Sequence, residues 1–74
     1  MTKQNLAIEL KTMYTNAPQG DKTTMIRLFG IKYAQQLKEC EASMTEIAEL
    51  SGVGASYHAE ISKGIRLAKH VTLK

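Results

Sequence analysis

Residues 55–69 contain the side chains whose types best fit contact with a nucleic acid. Three small residues would allow close approach to a groove, where a hydroxyl can bond a phosphate or a base and a methyl group can meet thymine: Ala55, Ser56 and Ala59. Three basic residues that could hold backbone phosphates follow: Lys63, Arg66 and Lys69. The segment therefore combines groups for reading bases with groups for binding phosphates.

Two further residues in this segment, Glu60 and His58, leave alternatives open. On an outward helix face Glu60 would approach a polyanion, where its carboxylate could accept a hydrogen bond from cytosine N4. It could instead bridge to Lys63 or to the charges near Lys69, or simply face solvent on a helix that binds protein. His58 fits either the boundary of the core or a contact to a phosphate or a base edge.

The remaining reactive side chains do not form a catalytic or metal-binding pattern. His58 and His70 stand twelve residues apart, Cys40 is remote from both, and no acidic residue is placed to orient either imidazole. The segment from Gly20 to Thr24 lacks the earlier glycine and the preceding strand of a phosphate-binding loop. We therefore predict a non-enzymatic protein with no cofactor and no metal.

Charge is concentrated towards the C-terminal end of the sequence. The formal net charge is +3 and the sequence pI is near 9.2. Residues 61–74 contain four basic residues and no acidic one, whereas residues 1–60 contain six basic and seven acidic residues. This distribution fits a phosphate-binding surface beside residues 55–69, and it also fits a solvated basic tail.

Two helical segments are predicted before this region. Leu6, Leu10 and Met13 have the spacing of an amphipathic helix, which the residues around Pro18 should end. Asp21 or Thr23 can then cap a second helix that runs to about residue 39.

The apolar residues between positions 25 and 37 of that second helix are spread around the helix instead of forming one narrow stripe. We expect burial on more than one side and a surplus apolar surface, including Leu28 and Ile31, that supports a homodimer. Gly30 costs about 1 kcal/mol relative to alanine inside a helix, which indicates a close helix approach or a slight kink there.

Residues 43–64 have the pattern of two short helices around a glycine turn. Ser43 can cap the first helix, and Glu46 can return a hydrogen bond to the N–H of Ser43. Gly52 is predicted to take a positive φ just after this helix. The inward face is expected to comprise Ile47, Ala48 and Leu50, with Val53 closing the corner. The second helix should start near Gly54 or Ala55, and it either ends at Gly64 or continues.

Residues 43–66 resemble the helix-turn-helix of bacterial and phage DNA-binding regulators. The resemblance rests on small Ala48, the turn glycine Gly52, apolar Val53 and apolar residues in the second helix, although His58 stands where the pattern has an apolar residue. It implies a sequence-specific DNA-binding protein, a transcriptional regulator, that reads the major groove of double-stranded DNA with the helix starting near Ala55. The alternative is a helical module that uses this scaffold to bind a protein partner.

Seventy-four residues allow a single domain. We predict an all-α fold, a small bundle of four to five helices, with N-terminal helices in residues 3–39, the motif in 43–64 and a basic tail in 65–74. The single Cys40 fits a reducing compartment, and neither a signal peptide nor a membrane-spanning stretch is recognisable. We therefore expect a cytoplasmic protein with no membrane association.

Overall fold

The computed structural model describes residues 2–71, which form five α-helices and one 3₁₀ turn without any strand. The helices are α1 (Lys3–Asn16), α2 (Lys22–Lys32), α3 (Ala34–Glu39), α4 (Met44–Ser51) and α5 (His58–Leu67), with the 3₁₀ turn at Ala55–Tyr57. The predicted all-α bundle is confirmed. Residues 72–74 of the predicted basic tail lie outside the described residues.

Helix α1 begins and ends where the sequence predicts. Thr2 is its N-cap, and the Thr2 hydroxyl accepts a hydrogen bond from the Asn5 N–H at 3.1 Å. The helix stops at Asn16, because Ala17 takes the extended conformation that a following proline favours. The Lys22 ammonium then donates to the Tyr14 carbonyl at 3.0 Å, which satisfies one of the free carbonyls at the helix end.

The predicted single helix from residue 21 to 39 is wrong, because the chain bends at Tyr33 between α2 and α3. Tyr33 has φ −110° and ψ 22°, well away from helical values. Its ring packs on Phe29 with centroids 5.3 Å apart, and its hydroxyl donates to Glu9 of α1 at 3.3 Å. These contacts hold the bend, and Leu37 of α3 lies buried in the core. Asp21 does precede α2 as its N-cap, but its side chain makes no capping bond.

One hydrophobic core joins the helices. Its buried members are Leu6, Leu10, Ile26, Phe29, Leu37, Ile47, Ala48 and Ile61. Helix α2 packs against both α1 and α5, which confirms that it is buried on more than one side. Helices α2 and α5 approach each other closely, since a Cβ on Gly30 would lie 2.5 Å from the Ile61 carbonyl oxygen and 3.0 Å from the Gly64 Cα. Of the two interpretations of Gly30, a close helix approach or a slight kink, the structure shows the close approach, with Gly64 as the partner.

The cap and turn of α4 follow the sequence prediction in two respects and depart from it in two others. The Ser43 hydroxyl accepts from the Glu46 N–H at 3.1 Å, and Gly52 has φ 85°. The Glu46 carboxylate does not return to Ser43, because it pairs with the Lys3 ammonium at 2.6 Å. Leu50 was expected on the inward face, yet it is 50% exposed, and Ser51 occupies the buried position instead.

Candidate nucleic-acid interface

A hydrogen-bonded turn sets where α5 begins. The buried Ser51 hydroxyl donates to the Ala48 carbonyl at 2.7 Å and accepts from the Val53 N–H at 3.3 Å. Gly54, with φ 108°, donates its N–H to the same Ala48 carbonyl at 3.3 Å. The chain then makes the 3₁₀ turn and enters α5 at His58. Ser51 was not predicted to have a role, although a hydroxyl residue just before a turn glycine is a recognisable signal.

Helix α5 presents one face to the core and the opposite face to solvent. Ile61 and Gly64 are buried, whereas Ala59, Lys63 and Arg66 are exposed. At 100° per residue these three exposed positions lie within about 60° of one another, on the side opposite Ile61. The helix continues through Gly64 to Leu67, which settles the alternative left open by the sequence.

The other predicted contact residues flank this exposed face. Ser56 in the 3₁₀ turn and His58 at the start of α5 are exposed, and Ala55 is half-buried. Lys69 is exposed in the turn that follows α5. His58 is exposed and therefore does not form the boundary of the core, which was one of its two alternatives.

Glu60 lies at the edge of α5 that faces α2, where both of its carboxylate oxygens are paired. Oε2 accepts from the Arg27 Nε at 2.6 Å, and Oε1 accepts from the Lys63 ammonium at 3.3 Å. The hydrogen bond from Arg27 is the largest effect on the Glu60 carboxyl and, together with that from Lys63, holds its pKa below the ordinary value, although desolvation opposes this. Of the alternatives that the sequence leaves open for Glu60, the structure contains the bridge to Lys63, and the second partner is Arg27 rather than a charge near Lys69.

Arg27 is the residue of this surface that sequence reasoning missed. Together with Lys63, Arg66 and Leu67 it lines a shallow depression of about 290 Å³ at the junction of α2 and α5. Arg27 precedes Glu60 by 33 residues, so no local pattern connects the two. The indirect signal was Gly30, which predicted a close approach to α2 without identifying the helix that approaches.

Neither a metal site nor a membrane span is found in the described part of the chain. Within residues 2–71, no three or more His, Cys, Asp and Glu side chains group closely enough to hold an ion. No helix in the same range is long and apolar enough to cross a bilayer. Cys40, a free thiol, is half-buried between α3 and α4.

Comparison with known proteins connects this geometry to a family. A family model described as an HTH-like domain matches residues 2–74, which is nearly the whole sequence. Neither the curated proteins nor the solved structures contain a match to the chain. The extent of the family match shows that this protein belongs to the HTH-like domain family.

Proposed function

We propose that this protein binds double-stranded DNA with α5 in the major groove and acts as a transcriptional regulator. The observation that carries the proposal is the exposed face of α5, which presents Ala59, Lys63 and Arg66. The only acidic residue of α5 is Glu60, and its charge is offset by Arg27 and Lys63. A polyanion approaching this face would therefore meet a net positive surface.

Each residue of this surface has a role that follows from its chemistry. Lys63, Arg66 and Lys69 would bind backbone phosphates, which position the protein on the duplex. Ala55, Ser56, His58 and Ala59 would face the base edges. Because their side chains are mostly short, the backbone of α5 could approach the groove closely, with Ser56 bonding a base and Ala59 meeting a thymine methyl group.

Specific recognition by such a short helix favours a dimer. Helix α5 has ten residues and is about 15 Å long, which corresponds to roughly four base pairs. Two copies on a two-fold site would double this length, with half-sites about one helical turn apart. The proposed interface is the surface of residues 25–37, where Leu28 and Ile31 lie on the side of α2 opposite Ile26 and are half-buried.

The direct test is fluorescence anisotropy with a labelled duplex at two salt concentrations. We expect the binding of the wild type to weaken as salt is added. For Arg66→Ala the logarithmic salt slope should be shallower by about 0.9, because the variant contacts one phosphate fewer and its binding therefore releases fewer counterions. Lys38→Ala is the matched control, since it removes one exposed positive charge from α3, outside α5. Ser56→Ala should instead change the preferred sequence in a selection from random duplexes. If the wild type does not bind the duplex even at the lower salt concentration, the proposal is overturned.

A second candidate function is protein binding, and it rests on a different surface. Ile8 of α1 and Leu50 of α4 are 60% and 50% exposed, and they line one depression together with Ala7 and Lys11. Large apolar side chains exposed side by side are a feature of protein interfaces. This function predicts that Leu50→Ser abolishes capture of the protein partner, whereas Arg66→Ala has no effect on it.

A further inference from the structure

The depression between α2 and α5 on the proposed DNA-binding surface combines cationic and apolar side chains. Two helices contribute to it, with Arg27 from α2 and with Lys63, Arg66 and Leu67 from α5. Including Glu60, the charged groups around it sum to +2. Leu67 is 42% exposed and gives the depression an apolar wall. Cationic donors and apolar surface therefore meet at a single place.

The hydrogen bonds of Arg27 leave most of its donors available. A guanidinium has five N–H donors, and Arg27 uses the one on Nε to bond Glu60 Oε2 at 2.6 Å. One of the four N–H groups on its terminal nitrogens runs parallel to the Nε–H, the other three point away from that bond in a fixed plane, and the side chain is 44% exposed. Glu60, only 18% exposed, therefore holds the guanidinium at one edge and leaves the other edge able to bind an anion.

We propose that this depression binds one backbone phosphate of DNA together with its neighbouring deoxyribose, and that Glu60 is a positioning residue that orients Arg27 for this contact. The inference rests on the proposed DNA binding and adds α2 to the contact surface. The terminal nitrogens of Arg27 match two phosphate oxygens, Lys63 and Arg66 supply further charge, and Leu67 meets the apolar face of the sugar. A free inorganic phosphate shares the charge but lacks the apolar part.

The first test compares Arg27 with a cationic residue that lies outside the proposed contact surface. Arg27→Ala should weaken binding of a labelled duplex about tenfold at low salt and reduce the logarithmic salt slope by about 0.9. Lys38→Ala is the matched control, because Lys38 is exposed on α3, outside both the depression and the proposed dimer interface. It should leave the slope unchanged. Far-UV circular dichroism and the thermal midpoint of each variant establish that both fold.

The second test uses the sign of the effect at Glu60. If Glu60 acted only as a negative charge, Glu60→Gln would tighten DNA binding. If Glu60 is a positioning residue, Glu60→Gln should instead weaken DNA binding about threefold, because a neutral amide holds Arg27 less firmly. In an Arg27→Ala background the same change should no longer weaken binding. Equal tightening in both backgrounds would refute the positioning role.

The outcomes separate this inference from the proposed function. If the wild type binds DNA and Arg27→Ala behaves like Lys38→Ala, the phosphate contact from α2 is refuted while DNA binding stands. If the wild type does not bind DNA, both fall. Inorganic phosphate added at constant ionic strength should not displace the duplex. Displacement that Arg27→Ala abolishes would assign the depression to a free anion and overturn the DNA-backbone contact.

Discussion

Gly64→Ala tests whether the contact between α2 and α5 requires glycine. A Cβ on Gly64 would overlap the Arg27 carbonyl group and lie 2.9 Å from the Gly30 Cα. Ordinary carbon contacts are about 3.5–4.0 Å, so the two helices would have to separate by roughly 1 Å. The obstructing atoms belong to the backbone of α2, which cannot rotate away as a side chain can.

The expected magnitude is the difference between two opposing effects. Overpacking of this kind costs about 1–3 kcal/mol, and a backbone obstruction places it near the upper end. Alanine returns about 1 kcal/mol through its greater helix propensity. The free energy of unfolding should therefore fall by about 2 kcal/mol. For a domain of this size that corresponds to a decrease in Tm of roughly 8–16 °C.

Thermal unfolding followed by circular dichroism measures this change. Ala59→Gly, on the exposed face of the same helix, gives the propensity difference without any steric obstruction, and it should cost about 1 kcal/mol. The propensity effect alone would make Gly64→Ala more stable than the wild type. A Tm that rises, or that stays unchanged, would therefore refute the requirement for glycine at this contact.

Three further predictions concern the cap, the ion pair and the oligomer. Ser43→Ala should lower the free energy of unfolding, measured in urea, by about 1 kcal/mol, because the Glu46 N–H loses its acceptor. Ser56→Ala, at an exposed position, should not lower it. Equal effects of the two substitutions would exclude a specific cap at Ser43. Because the pKa of Glu60 is lowered, its ion pair stabilises the fold fully at a pH above the ordinary carboxyl pKa near 4.5, and this stabilisation is lost as the pH falls through the lowered pKa. Between pH 6 and pH 3, Glu60→Gln should therefore lose less stability than the wild type. An equal loss in the two proteins would contradict this prediction. Leu28→Glu should convert a sedimenting dimer to a monomer with unchanged helix content, whereas a wild-type monomer at high micromolar concentration would exclude the dimer.

The features that the sequence predicts correctly depend on neighbours within a few positions. Ser43 caps α4 through the N–H three residues later, and Gly52 takes the positive φ that ends the same helix. The end of α1 is similarly determined by Ala17 and Pro18. Such features depend on local backbone geometry, so residue type and spacing are sufficient to predict them.

The features that the sequence does not predict depend on distant partners. Leu50 is exposed because the buried arc of α4 centres near Ser51, about 100° away around the helix, and the position of α1 decides which arc is buried. The bend at Tyr33 depends on Glu9 of α1, and Glu46 leaves its capping position for Lys3. In each case an interaction between helices overrides a local preference.

The candidate site itself depends on packing between helices as much as on the helix-turn-helix pattern. Arg27 precedes Gly30 by three residues and Glu60 precedes Gly64 by four, so the ion pair lies about one turn from the glycine contact on the same pair of helices. The close backbone approach allows the Arg27 Nε and the Glu60 carboxylate to meet at 2.6 Å. A separation of 1 Å at the glycines would lengthen this bond beyond useful hydrogen-bonding distance unless the side chains adjusted. The two glycines therefore serve the fold directly and, through Glu60, determine where Arg27 stands on the proposed DNA-binding surface.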